Sequence, residues 1–351
     1  MSIHYIGADV HPYNTELSVE NRKKIVSRYS VPTTIPAISE VLKALPGKKY
    51  LAMEEGPMAG WLYRNLRDFV DKLIVCDPRR NKYIYADGDV DDIIAADKLA
   101  QLLRGGYLRA VHHSDDEARV ELKHWVGLYH DRVHAAVAQM NKIRGRCTMH
   151  GIRIPSRVLR DASHREAWLQ EQKHPSLALQ LKMLWIGYDA TAQQAKMAKQ
   201  QLLRLSKQQT IVQYWKELPG VGLIRSVTVF AYLDTPWRFK TKNKLWKYSG
   251  VGIRHFSSSK DRHGNPRPAR LGLERHCNRK LKDAMMGAAN SVINTRNPNI
   301  FKIAYERLRH EGTLNNNARH TVARMMLTVM WGMWKGMTPF NPNLYQNSHS
   351  V

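Results

Sequence analysis

Three stretches in the N-terminal third of the chain place a carboxylate where a strand or loop ends. They are Asp9 in Ile6-Gly7-Ala8-Asp9-Val10-His11, Glu54 in Leu51-Ala52-Met53-Glu54-Glu55-Gly56, and Asp92 in Asp89-Val90-Asp91-Asp92-Ile93-Ile94-Ala95-Ala96-Asp97. Two bare carboxylates about 4 Å apart repel by roughly 4 kcal/mol at an effective dielectric of about 20. Several of them gathered in one place stay ionised only against a cation. The hard-cation choice for oxygen ligands is Mg²⁺, with Mn²⁺ as the alternative; either polarises a phosphate oxygen and activates a nucleophile. The competing reading is a set of ordinary acidic loop residues, which Asp91 and Asp92 taken alone would favour.

A second constellation lies far downstream, in Tyr248-Ser249-Gly250-Val251-Gly252-Ile253-Arg254-His255-Phe256-Ser257-Ser258-Ser259-Lys260. A serine flanked by Arg254, His255 and Lys260 can act as a nucleophile whose phosphoryl adduct is held by cations. The plainer reading is a polar loop. Around it lie Arg238, Lys240, Lys242, Lys244, Arg262, Arg275, Arg279 and Lys280, interleaved with Trp237, Phe239, Trp246, Tyr248 and Phe256. Cations track phosphates while aromatic rings stack on unpaired bases. For Trp246 and Tyr248 core packing is the simpler explanation.

Composition agrees with a polyanionic partner. The 351 residues carry 55 Lys and Arg against 30 Asp and Glu, a net charge of +25. An excess of that size exceeds what solubility needs. A basic membrane-surface protein is the rival. However, no apolar run approaches the ~20 residues of a spanning helix, residues 1–20 do not read as a signal peptide, and Val322–Trp334 reads as a short buried helix. Three dispersed cysteines without a CxxC pair suit free thiols in a reducing cytoplasm rather than a zinc site. The 16 histidines are scattered, and pairs such as His112-His113 read as solvated loop residues rather than ligands.

The elements that must position these groups follow from periodicity. Residues 3–10 predict a strand ending in an acid, 15–19 a second strand and 24–29 a third. An amphipathic helix over 36–45, a strand over 50–53, a helix over 61–70 and a strand over 73–76 complete an α/β pattern with a mixed sheet. Asp9 and Glu54 then end neighbouring strands. From Leu122, apolar residues recur at alternating spacings of four and three: Leu122, Val126, Tyr129, Val133, Ala136, Met140, Ile143 and Cys147, and again from Leu177 to Leu205. Such heptads predict long helices paired as a coiled-coil hairpin or an oligomer seam; an ordinary bundle within one subunit is the alternative. Leu218-Pro219-Gly220-Val221-Gly222 then opens a helix over 224–233, with backbone N–H groups suited to a phosphate.

These residues together carry a resemblance. IGADVH (6–11), MEEGPMAGWLY (53–63), CDPRR (76–80) and DIIAADKLAQLLRGG (92–106) resemble the N-terminal RuvC-like nuclease domain of the DEDD insertion-sequence transposases, the family that includes the Piv-type DNA invertases. LPGVG (218–222), the stretch 237–260 and the segment 271–281 resemble that family's second domain. The resemblance implies an α/β RuvC-like (RNase H-like) domain over 1–110, a coiled-coil helical insert over 111–210 and a mostly α-helical domain over 211–351. It implies a site-specific DNA recombinase in which four acids bind Mg²⁺ and a serine attacks DNA. Asp9, Glu54 (Glu55 as the alternative) and Asp92 stand at three of the acid positions. Ser258, from its offset to Gly250, stands at the nucleophile position, with Ser257 and Ser259 open. The fourth acid position, in a D-x-x-D-A frame, holds Ala95; either Asp97 or Asp91 compensates, or this chain is impaired in cleavage. The serine is followed by Ser-Ser-Lys or Ser-Lys rather than glycines.

Expected partners are donor and target DNA, a structured bridge RNA that guides the enzyme, and further copies of the chain as a homodimer assembling to a tetramer, in bacterial cytoplasm and without a membrane. The absence of a helix-turn-helix or zinc-finger reader in the sequence suits sequence choice delegated to base pairing. Two other readings stay open: a RuvC-like nuclease that hydrolyses with water, and a nucleic-acid-binding relative without activity.

Overall fold

The computed structural model describes residues 2–78, 91–256, 270–273 and 276–343. The chain divides into two compact units, Met1–Glu117 and Ala118–Val351.

The first unit runs β1 (Ile3–Val10), β2 (Asn14–Asn21), β3 (Lys24–Pro32), α1 (Ile35–Ala44), β4 (Lys48–Glu54), α2 (Ala59–Leu66), β5 (Lys72–Cys76) and α3 (Asp92–Gly105). The strands form one sheet in the order β3-β2-β1-β4-β5. The first three pair antiparallel, and β4 and β5 pair parallel to β1. The β2–β3 turn is tight because Arg22 and Lys23 both take positive φ, 50° and 66°, which matches the twist of the strands it joins. Alternation along β1 and β2 sends Ile6, Ala8, Leu17 and Val19 into a core with Ile38, Leu42, Leu51, Leu62 and Leu66. Each fully buried aliphatic side chain there contributes about 1.5–3 kcal/mol. This mixed sheet agrees with the α/β expectation and is compatible with a RuvC-like layout.

One helix ends earlier than its periodicity predicts. It stops at Leu66, a single 3₁₀ turn covers Arg67–Phe69, and Val70 is extended. The chain must enter β5 at Lys72, and the Asp71 carboxylate anchors that entry by accepting the Lys49 N–H at 2.8 Å.

Helix α3 lies directly on the sheet. A Cβ on Gly7 would stand 2.0 Å from the Ala96 carbonyl oxygen and 2.6 Å from the Ala100 nitrogen, so only glycine admits this approach. The helix is pinned further by ion pairs from Asp97 to Arg28 and from Arg104 to Glu20.

The second unit opens with α4 (Glu117–Met149), α5 (Ser156–Arg160), α6 (Ser163–Gln170) and α7 (Pro175–Ser206). The two long helices run antiparallel: Arg132 reaches Gln194 at 3.2 Å, and Ile143 and Cys147 pack with Leu177, Leu181 and Trp185. The heptad residues therefore build a hairpin within one chain. The seam is buried at its ends and half-buried in the middle, from Tyr129 to Met140. On the outer side of α7, Leu179, Met183, Ile186 and Met197 are 55–66% exposed.

The remainder is α8 (Thr210–Lys216), α9 (Gly222–Leu233), α10 (Lys242–Tyr248), β6 (Ile253–Phe256), β7 (Arg270–Leu273), α11 (Arg279–Asn294), α12 (Ile300–His310) and α13 (Asn315–Gly336). The helices surround one core that includes Trp215, Phe230, Leu245, Leu281, Phe301 and Met330. The apolar segment 322–334 lies inside α13, with Val322, Met326 and Leu327 fully buried. Strands β6 and β7 pair antiparallel.

Candidate metal centre

Asp9 and Glu54 are brought together by strand register. Ala8 of β1 is paired with Met53 of β4, so the next residue on each parallel strand is the acid. Both acids line a cavity of about 210 Å³, together with Pro12, Glu55, Pro57 and Met58. Asp92 arrives by another route: it is the first residue of α3, and the close approach at Gly7 carries the start of that helix toward the end of β1. Asp91 caps the helix, its carboxylate accepting the Ile93 N–H.

The carboxylates of Asp9 and Asp92 meet a third group. Potential ligand atoms of Asp9, His11 and Asp92 all lie within 4.8 Å of one another. His11 Nε2 is 3.1 Å from Asp9 Oδ2 and 3.4 Å from Asp92 Oδ1. Burial lifts the Asp9 carboxyl above the usual carboxylate range, and the charges of Asp92 and Glu16 push the same way; the His11 hydrogen bond offsets part of this. That hydrogen bond raises the His11 imidazole above its ordinary value in turn. Burial and the neighbouring carboxylates thus both disfavour the ionised form of Asp9, and a divalent cation bound there would favour it. Two carboxylates and an imidazole are a donor set that fits such an ion.

Other acids named from the sequence have different work. Glu55 pairs with His113 at 2.6 Å. His113, expected as a solvated loop residue, is only 12% exposed: it pairs with this carboxylate and its ring lies 5.4 Å from that of Tyr63. Asp97 accepts from the Ser18 hydroxyl and from two Arg28 nitrogens. Ala95 is 8% exposed and packs with Cys76 and Leu99, and it offers no ligand atom. Among the described residues, then, the gathered set is Asp9, His11 and Asp92; Asp91 and Asp97 do not join it, and Glu54 shares the cavity lining with Asp9 without being one of the three.

Two residues of this site were not singled out in the sequence. His11 is the first; the only signal was its place two residues after Asp9, which in extended chain directs both side chains to one side. Glu16 is the second. It is the cross-strand partner of Asp9, and Asn14 and Ser30 donate to its carboxylate.

In the second unit, Ser257, Ser258 and Ser259 lie outside the described residues, as do Lys260, Arg262 and Arg275. Strand β6 leads up to the serines; the Arg254 side chain on it is also outside the description. Lys240, Lys242, Lys244 and Arg279 are exposed, and Lys280 is half-buried. Arg238 turns inward instead: it donates to the Tyr232 carbonyl and the Tyr248 hydroxyl and stacks 4.3 Å from the Tyr248 ring. Trp246 donates to Thr328 and Phe239 is buried, so core packing claims them, whereas Trp237 is 71% exposed. The turn 218–222 has a packing role: a Cβ on Gly220 would stand 2.7 Å from Val292 and 2.8 Å from the Ala288 carbonyl.

Residues 212–306 match the model of the transposase IS116/IS110/IS902 family. The match covers α9, α10 and α11, the part of the chain that bears the serine run, and it supports an insertion-sequence transposase, an enzyme acting on DNA. A comparison with curated proteins gives no match. Among the described residues, no helix is long and apolar enough to cross a membrane.

Proposed function

We propose that the chain is the recombinase of an insertion sequence. In this reading Asp9, Glu54 and Asp92 hold Mg²⁺ or Mn²⁺, and a serine of the 257–259 run, Ser258 first, attacks a DNA phosphate. The observation that carries the reading is the family match over residues 212–306. Asp9 and Asp92, gathered with His11 at the end of β1, support its metal half, and Glu54 lines the same cavity as Asp9. When bound there, a divalent ion would polarise a phosphate oxygen and offset its charge. The seryl oxygen–phosphorus bond forms as a sugar oxygen–phosphorus bond breaks; the serine loses its proton and the freed sugar oxygen gains one. A second displacement by a sugar hydroxyl reverses the exchange, so no high-energy cofactor is needed. The parts are the α/β region (1–110), the helical hairpin (111–210) and the serine-bearing region (211–351), with a bridge RNA choosing the site by base pairing.

The test is a denaturing gel of the protein after incubation with its element's DNA ends and Mn²⁺ or Mg²⁺. A covalent protein–DNA adduct is expected, lost in Ser258→Ala and in Asp9→Asn. Cleavage without an adduct would favour the water-using nuclease. Ala95→Asp is expected to raise the adduct yield; equal yields would dismiss the idea that Ala95 impairs the enzyme. Absence of cleavage in both would leave the inactive nucleic-acid binder.

Of the homodimer and tetramer in this reading, the exposed apolar row on α7 offers one contact face between copies of the chain. Sedimentation of Met183→Lys/Ile186→Lys should give a smaller species than the parent protein, and unchanged mass would remove that face from the interface.

A further inference from the structure

The imidazole of His11 stands where a metal ligand belongs. Neighbouring ligands around an ion at about 2.1 Å are roughly 3.0 Å apart in an octahedral shell and roughly 3.4 Å apart in a tetrahedral one. His11 Nε2 is 3.1 Å from Asp9 Oδ2 and 3.4 Å from Asp92 Oδ1. The backbone under this ring is held on both sides: the His11 N–H donates to the Asn14 carbonyl at 3.0 Å, and its carbonyl accepts the Thr33 hydroxyl at 2.7 Å. Thr33 is itself buried and tied to Thr15 at 2.8 Å. The position of His11 is therefore built, not incidental. Of the other acids nearby, Asp97 is engaged by Arg28 and Ser18 and Glu55 by His113, while Glu54 lines the cavity beside Asp9. One turn beyond Asp92 the helix presents Ala95.

We infer that His11 is a direct ligand of the metal, its Nε2 joining Asp9, Asp92 and the proposed ligand Glu54 in a mixed nitrogen–oxygen set that favours Mn²⁺ over Mg²⁺. The inference rests on the reading that this cluster binds a divalent cation. Imidazole nitrogen suits transition metals, whereas Mg²⁺ selects oxygen ligands and retains water. The side chain thus sets which ion the site prefers.

The probe is Mn²⁺ added to the full-length protein and followed by pulsed electron paramagnetic resonance. Bound Mn²⁺ should show imidazole nitrogen hyperfine coupling. His11→Gln should lose that coupling while circular dichroism stays unchanged. Its Mn²⁺ affinity should fall about tenfold or more, the lower end of what even outer-shell changes cost a metal site. Mg²⁺ should also displace Mn²⁺ from the variant at a lower excess than from the parent. Bound Mn²⁺ without nitrogen coupling, or coupling that survives in His11→Gln, would overturn His11 as a ligand and leave the carboxylate site standing. Failure of the parent protein to bind Mn²⁺, or binding untouched by Asp9→Asn, would overturn the metal site and the inference together.

Discussion

Asp97 and Asp92 are five residues apart on one helix, yet their surroundings divide their roles. Asp92 opens α3 beside His11, while Asp97 faces β2 and β3 and neutralises Arg28. The Asp97 side chain is 16% exposed, and the Ser18 hydroxyl that donates to it is buried with its residue. Asp97→Ala should therefore destabilise the fold by about 1–3 kcal/mol, mostly by leaving the buried Ser18 hydroxyl without its acceptor. Denaturant unfolding measures the loss. A parallel Mn²⁺ titration should show a smaller loss of affinity than Asp9→Asn causes, and an equal loss would bring Asp97 back into the metal set. From the residue string alone, both aspartates sat in the same acidic run. Only the direction each takes off the helix separates them, and that direction has no meaning until the helix is docked.

The decisive element is α3, and its seat is Gly7. In the sequence Gly7 was one letter of a strand motif, with nothing to show that a helix crosses there. A methyl at this position meets backbone atoms of Ala96 and Ala100, which cannot rotate away. Gly7→Ala should lower stability by about 3 kcal/mol or more, the upper range for forcing a side chain into a packed contact. Because α3 would have to lift, Asp92 should leave Asp9 and Mn²⁺ binding should weaken with it. Thermal melts and the same titration read both effects; a variant as stable as the parent would show that the helix does not rest on the strand so closely. The strands themselves were legible because a half-buried strand alternates and a helix does not. The limit of the helix over 59–66 was not, since a demand from the sheet at Asp71 ended it. The heptads announced α4 and α7, but the same spacing serves a partner within the chain or outside it. In the structure one end of the seam packs in a cluster shared with α5 and α6, and the other end joins the core of the remaining helices.

At the scale of the molecule the leading fact is charge. On the proposed function, a surplus of +25 with exposed Lys240, Lys242, Lys244 and Arg279 would make DNA binding strongly salt-dependent. If about six to ten phosphates are engaged, affinity should fall by about 10³- to 10⁵-fold between roughly 50 and 200 mM salt. Fluorescence anisotropy across that range tests it, and a flat response would move the binding face off the basic surface. Composition and periodicity by themselves determined the basic character, the α/β start, the long helices and the acids at strand ends, because burial and charge leave marks at short spacing. Only the tertiary structure decided that Asp9, His11 and Asp92 stand together, that Glu55 and Asp97 serve other partners, and that Arg238 turns inward. Those outcomes depend on which strands pair and where a helix touches a glycine, contacts between residues far apart along the chain that no local pattern encodes.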